Sequence, residues 1–272
     1  MTVTTTTSLH KPKLPILSLT VKAHQLFFQN AIVLLRMSSV WMLLVFLINA
    51  TLYWCIWPAE VTSWPEPSHA YEVTFLVSTV LVTLAGASIA VNWHRAILLD
   101  EPVAHAPMLR LDPIVQTYFA AALFLTLMSI LPVLTLTRML MDTNGPPFVA
   151  LVMTLTSLVM AVWIAVRLLP LFPAIACDER ASSMSQTWTL SSGLFWRLLV
   201  GSCLTWALPI LAAAAIVILD PNTSSDGPPT DRTAFALTTA LVDTVTLYFG
   251  LIPTAFAAVV YGALSDETDP VQ

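Results

Sequence analysis

The chain has 272 residues, 57% of them hydrophobic and only 10% charged, with a mean hydropathy of +0.80 and a net charge of −5. Soluble domains carry about 45–50% apolar residues, so this composition excludes an ordinary soluble protein and marks a membrane protein. The acidic balance gives no support to nucleic-acid binding, and Cys55, Cys177 and Cys203, with no CxxC spacing, argue for neither a disulfide framework nor a thiolate metal site.

Residues 1–16, a Thr/Ser tract with two prolines, read as a disordered tail on the cytoplasmic side. Next comes "LTVKAHQLFFQNAIVLLRM", residues 19–37. Lys22, Gln25, Gln29 and Arg36 fall on one helical face, and Val21, Phe27, Phe28, Ala31, Ile32 and Leu35 on another, the pattern of a helix lying in the membrane surface.

A span needs about 20 mostly apolar residues. Six windows qualify: Ser38 to Trp57, Tyr71 to Val91, Pro113 to Leu136, Phe148 to Leu168, Phe195 to Leu219 and Ala234 to Tyr261. Backbone polar groups have no water to bind inside lipid, so each span is expected to be α-helical. The fold class is therefore all-α integral membrane, a six-helix domain over 17–265 that includes interfacial helices, closed by a cytoplasmic tail at 266–272.

Orientation follows from the basic residues, which concentrate on the cytoplasmic side of membrane proteins. With the amino terminus inside, only Arg138 and Arg232 of the eleven fall outside, and the short outer loops carry acids such as Glu60, Glu66, Asp142, Asp220 and Asp231. Both termini then face the cytoplasm. Some 37 residues precede the first span and no small-residue cleavage pattern follows it, so it reads as a retained helix rather than a cleaved signal.

Each even-numbered span ends in an acidic pair. "IAVNWHRAILLDE" (89–101), "IAVRLLPLFPAIACDE" (164–179) and "AVVYGALSDE" (258–267) share that ending, which suggests three tandem helical hairpins. Asp100, Asp178 and Asp266 begin the connections, where Arg110 and Arg180 are available to pair with them. Pro132, Pro209 and Pro253 lie inside spans, where each removes a backbone hydrogen bond and is expected to kink its helix; Pro170 and Pro173 break the fourth helix at its inner end. Ser183 and Gln186 have capping-box spacing ahead of the fifth span.

Five residues stand out as candidates for a role. Asp243, in "TTALVDTVTLYFG", is the one acid well inside a span; it is either a proton or cation site, or an acid that joins helices through Thr239, Thr244 or Asn49, with Arg138 the basic residue at a comparable depth. Arg95 and Arg167 sit at matching inner helix ends. With His94 and Trp93 they either contact anionic headgroups or mark the water line. The five histidines lie in different segments, and no HExxH, phosphate loop or GxSxG is present, so neither catalytic residues nor a metal site nor a cofactor is expected.

"VNWHRAILLDE", "RLLPLFPAIACDE" and "TWTLSSGLFWRLL", set in a six-helix pattern, resemble the YciC-like bacterial inner-membrane proteins and the membrane domain attached to some glycerophosphodiester phosphodiesterases. That resemblance implies a multi-pass inner-membrane protein and carries over no catalytic residue. The expectation is a non-enzymatic protein with a structural, lipid-associated or assembly role, whose partners are membrane lipids, other membrane proteins or further copies of itself. The alternative is a permease or channel component with Asp243 in a polar cavity.

Overall fold

The structure, a computed structural model, describes residues 15–56, 69–102, 107–141, 147–177, 184–220 and 231–265. Among them are ten helices and no strand. The protein is an all-α membrane protein, as composition requires: five helical stretches are long and apolar enough to cross a bilayer, and a sixth, Leu151–Arg167, is shorter.

α1 (Ile16–Gln29) and α2 (Ala31–Ile56) are separate helices, which corrects the single surface helix expected over 19–37. The cause is Asn30. Its side chain donates to the Leu26 carbonyl at 2.8 Å and its backbone N–H to the Phe27 carbonyl, closing α1, and the apolar run after it joins the membrane helix. α1 packs against the eighth and tenth helices through Ile16, Thr20, Ala23 and Phe27, while Leu17, Val21 and Phe28 of its apolar surface stay exposed. A chain in water would bury such residues; beside lipid they need no protein partner.

α3 (His69–Leu98) runs well past the expected end at Val91, carrying Trp93, His94 and Arg95 within the helix. α4 (Pro113–Met141) starts where its sequence says it should, with Asp112 accepting from the Val115 N–H at 3.0 Å and Pro113 at the first helical position. α5 (Pro147–Arg167) stops before Pro170, which is followed by the short α6 (Leu171–Ala176). α7 (Met184–Leu190) and α8 (Phe195–Leu219) follow; α8 has the ends expected for the fifth span. Ser183 lies outside the described residues.

The last expected span is two helices, α9 (Arg232–Phe249) and α10 (Leu251–Ser265). Asp231 caps α9 by accepting from the Thr233 and Ala234 N–H groups. The break is at Gly250, not at Pro253, which corrects the expected kink. Pro253 falls in the first turn of α10, where its missing N–H would have had no intrahelical partner. The two breaks meet: the Tyr248 hydroxyl donates to the Ala31 carbonyl at 2.8 Å, and the Phe27 ring touches those of Tyr248 and Phe249. α2 therefore pairs with α9, and α1 with α10.

α10 is the core of the bundle, enclosed by α1, α3, α6 and α8. Its composition permits this. Ala255, Ala257, Ala258, Gly262 and Ala263 let neighbouring backbones approach, which matters because apolar burial alone drives no association between helices in lipid. Phe256 and Ile252 fill the space against Leu198, Trp93 and Leu34. By contrast only 11% of the α4 and α8 spans is buried, against 61% of Arg232–Ser265, so α4 and α8 form the rim and present Phe124, Ile210 and Ile218 outward.

Candidate functional site

One cluster of polar residues gathers where α3 stops and α4 begins. Ser88, Asn92 and Arg95 lie at i, i+4 and i+7, on one face of α3, and each holds part of the α3–α4 connection against that face. Ser88 Oγ accepts from the Arg110 N–H and from Trp41 Nε1; Asn92 Nδ2 donates to the Pro107 carbonyl, and Asn92 Oδ1 accepts from Arg110. Arg95 grips Glu101 through Nε and Nη2 and donates from Nη1 to the Ala176 carbonyl at 3.1 Å, which ties α6 to the same point.

The reversal that allows this is at Asp100, whose φ of 52° is the left-handed conformation that Asp tolerates better than most residues. The acidic pair thus divides its work: Asp100 turns the chain and Glu101, rather than Asp100, makes the ion pair. Arg110 pairs with Asp112 at 2.6 Å, not with Asp100. The Arg95 hydrogen bond holds the Glu101 carboxyl below the usual glutamate range. Asp112 is also held low: burial pushes its carboxyl upward, but the Val115 N–H and Arg110 together outweigh that.

Trp93 and His94 face inward, so they belong to the packing rather than to a headgroup pocket. Trp93 Nε1 donates to the Leu251 carbonyl at 3.2 Å, joining α3 to α10. His94 is fully enclosed, with Nε2 at 3.2 Å from the Tyr118 hydroxyl and Nδ1 without a partner among the described residues; the Tyr118 ring in turn packs at a tilt against Phe172 of α6. His105 lies outside the described residues.

Arg167 forms a separate cluster. It ends α5 and donates from Nη1 to the Ser191 carbonyl and from Nη2 to the Trp188 carbonyl, both at 2.8 Å, a cation placed on the closing carbonyls of α7. Its guanidinium also lies over the Trp188 ring at 4.7 Å. Arg95 and Arg167, alike in sequence, therefore differ in partner: one holds a carboxylate, the other holds carbonyls and a ring.

Asp243 is bridged to α2. Asn49 Nδ2 donates to Asp243 Oδ2 at 2.7 Å, while Asn49 is fully buried and its Oδ1 has no partner. Thr239 and Thr244 do not take part, since their hydroxyls donate to carbonyls one turn back on α9. The Arg138 side chain lies outside the described residues. At the opposite end of the bundle Arg232 rests over the Trp54 ring, a second α2–α9 contact.

No family model matches the chain, and no curated protein or solved structure matches it either. Among the described residues, no three His, Cys, Asp or Glu side chains converge as metal ligands would. Sequence reasoning missed Trp41, Glu101, Trp188 and Ser191 as partners. The Asp-Glu pair at a helix end was a usable signal for Glu101; nothing local marks the other three.

Proposed function

We propose that this is a bacterial inner-membrane protein that crosses the bilayer six times with both termini in the cytoplasm, and that it acts without catalysis, as a structural, lipid-associated or assembly subunit. What carries the reading is the use made of its polar side chains. Asp243 is engaged by Asn49, Arg95 by Glu101, His94 by Tyr118 and Arg110 by Asp112, each joining helices or fastening a connection. Polar groups so employed, the buried ones above all, fix one arrangement of helices rather than await a substrate. The resemblance of the Val91–Glu101 and Arg167–Glu179 segments to YciC-like proteins supports the location, and the weighting of Lys and Arg toward one side supports the orientation. The outward apolar surface of α4 and α8 suits contact with lipid or another membrane protein.

The test is purification of the full chain in mild detergent, with lipids and proteins that stay bound identified together. Retained lipid or a stoichiometric membrane partner supports the reading. Turnover of a small molecule by the purified protein, abolished in Asp243→Asn, overturns it.

One observation favours a second reading, a permease or channel component: the unpartnered Asn49 Oδ1 beside the Asp243 carboxyl. It requires water to reach that point. In a background with Cys55, Cys177 and Cys203 replaced, Asp243→Cys should then react with polar thiol reagents from one side of the membrane, and absence of labelling from both sides refutes it.

A further inference from the structure

α5 and α8 leave between them an apolar cleft of about 600 Å³ whose walls include Val159, Trp163, Trp196 and Leu199. It opens to the outside of the bundle: Val159 is 66% and Trp196 74% exposed. A relay of contacts leads from the cleft wall to a cation. Trp163 meets the Trp188 ring edge-on at 4.9 Å, and Arg167, one turn beyond Trp163 on α5, lies over the same Trp188 ring at 4.7 Å. Among the described residues Arg167 has two carbonyls and this ring as partners, none of them anionic, and its Nε–H is buried without an acceptor. Among the described residues, then, no acidic side chain pairs with this guanidinium, which stands one turn beyond Trp163 of the apolar cleft.

We propose that the α5–α8 cleft seats an acyl chain of an anionic phospholipid whose phosphate lies on Arg167. This rests on the lipid-associated reading above and gives that reading a place and a headgroup class. The parts fit the occupant in order. The cleft walls are hydrocarbon and indole, suited to a chain. Trp163, Trp188 and Trp196 stand where indoles gather in membranes, at the boundary between chain and headgroup. Arg167 stands beyond them, and a guanidinium is the side chain best matched to phosphate oxygens. A net-negative headgroup meets its charge more favourably than a zwitterionic one. A helix of a partner protein, about 10–12 Å across with its side chains, is too wide for a cleft of this volume between two adjoining helices.

The experiment uses the full chain, purified, stripped of lipid and titrated separately with phosphatidylglycerol, phosphatidylcholine and inorganic phosphate, followed by thermal unfolding and native mass spectrometry. Phosphatidylglycerol should raise the unfolding midpoint and persist as a bound adduct, phosphatidylcholine should do so more weakly, and phosphate alone should not. Arg167→Gln should weaken phosphatidylglycerol about tenfold, as expected for loss of a charge-assisted contact, with Arg167→Lys intermediate. Arg167 also caps α7, so Val159→Trp provides a second variant: it fills the cleft from its exposed side, leaves Arg167 in place, and should abolish the adduct without lowering the lipid-free midpoint. Equal response to the two lipids, a response to phosphate matching that to lipid, an intact adduct in Val159→Trp, or dimers cross-linked through Val159→Cys would each overturn the proposal. If lipid is retained without headgroup preference, this site alone fails; if neither lipid nor partner is retained, the lipid-associated reading fails with it.

Discussion

Gly201 offers the sharpest test of how the bundle is packed. It lies on α8, three residues past the buried Leu198, where the Phe256 ring of α10 presses against the helix backbone. A Cβ built at Gly201 would stand 2.8 and 3.0 Å from Phe256 Cε2 and Cε1, and closer still to Cζ. Phe256 is fully buried in the central cluster, so the ring cannot swing into open space. Overpacking of this kind destabilises by about 1–3 kcal/mol, whereas alanine in a helix is favoured over glycine by roughly 0.8–1 kcal/mol. With contacts this short against a ring that cannot move, the upper half of that range applies, about 2–3 kcal/mol, and Gly201→Ala should lower stability by about 1–2 kcal/mol on balance. Phe256→Leu removes the part of the ring in the way, so the double variant should be more stable than the sum of the singles by at least about 1 kcal/mol. Gly86→Ala and Gly262→Ala are the controls, because a Cβ at either would meet its nearest side chain at 3.6 Å, an ordinary contact, and neither should destabilise. The assay is reversible unfolding in mixed detergent micelles. Gly201→Ala as stable as the parent, or strict additivity with Phe256→Leu, would refute the packing described for α8 against α10.

Asn49→Leu should destabilise by about 0.6 kcal/mol and by no more than about 1.7, the average and the maximum for hydrogen bonds between membrane helices, while Asn49→Leu with Asp243→Leu should recover most of it, both read by the same unfolding assay. Loss of the Asp112 cap in Asp112→Ala should lower stability by about 1 kcal/mol, and Asp112→Asn, which keeps an acceptor for the Val115 N–H, by less. Glu101 should make stability pH-dependent. Its carboxyl is held low in the folded chain, so the ionised form is favoured by folding; that contribution is complete above the ordinary glutamate range and is lost as pH falls through the lower, folded value. Because Glu101 is exposed, the effect should be small, about 0.2–1 kcal/mol, and the difference in unfolding midpoint between parent and Glu101→Gln should vanish in acid.

The helices were largely legible because lipid imposes a coarse rule. Any apolar run of sufficient length must satisfy its own backbone, so α8 could be bounded from hydropathy at both ends and α4 at its start, Pro113, although α4 runs past the expected end at Leu136 to Met141. What hydropathy could not supply was where a continuous apolar run breaks. Asn30 and Gly250 each sit inside stretches that read as one helix, and hydropathy does not register what accompanies the breaks: the Asn30 bond back to the Leu26 carbonyl, the Phe27, Tyr248 and Phe249 rings that fill the corner, and the Ala31 carbonyl that takes the Tyr248 hydroxyl. The same limit applied to the site. Asn49 was identifiable as a partner of Asp243 because polar residues are scarce enough on the neighbouring helix to be counted. Trp93 and His94 were read, with Arg95, as headgroup contacts or markers of the water line, but α3 continues past them and helical geometry turns both side chains into the bundle.

The matched arginines show how a small change in register alters what a repeat can do. Both follow an Ile-Ala-Val step, but Arg167 comes directly after Val166, whereas Asn92, Trp93 and His94 intervene between Val91 and Arg95. Three residues are most of a helical turn, so the two side chains leave their helices in different directions and at different depths relative to the shared step. Arg95 gains a further turn of α3 beyond it, enough for Leu99 to close on the Arg95 carbonyl and for Asp100 to turn Glu101 back onto the guanidinium. α5 stops at Arg167 itself, and Pro170 prevents any such continuation. Among the described residues beyond Arg167, the partners are therefore carbonyls at the end of α7 and the Trp188 ring, where the chain beyond Arg95 supplies the Glu101 carboxylate.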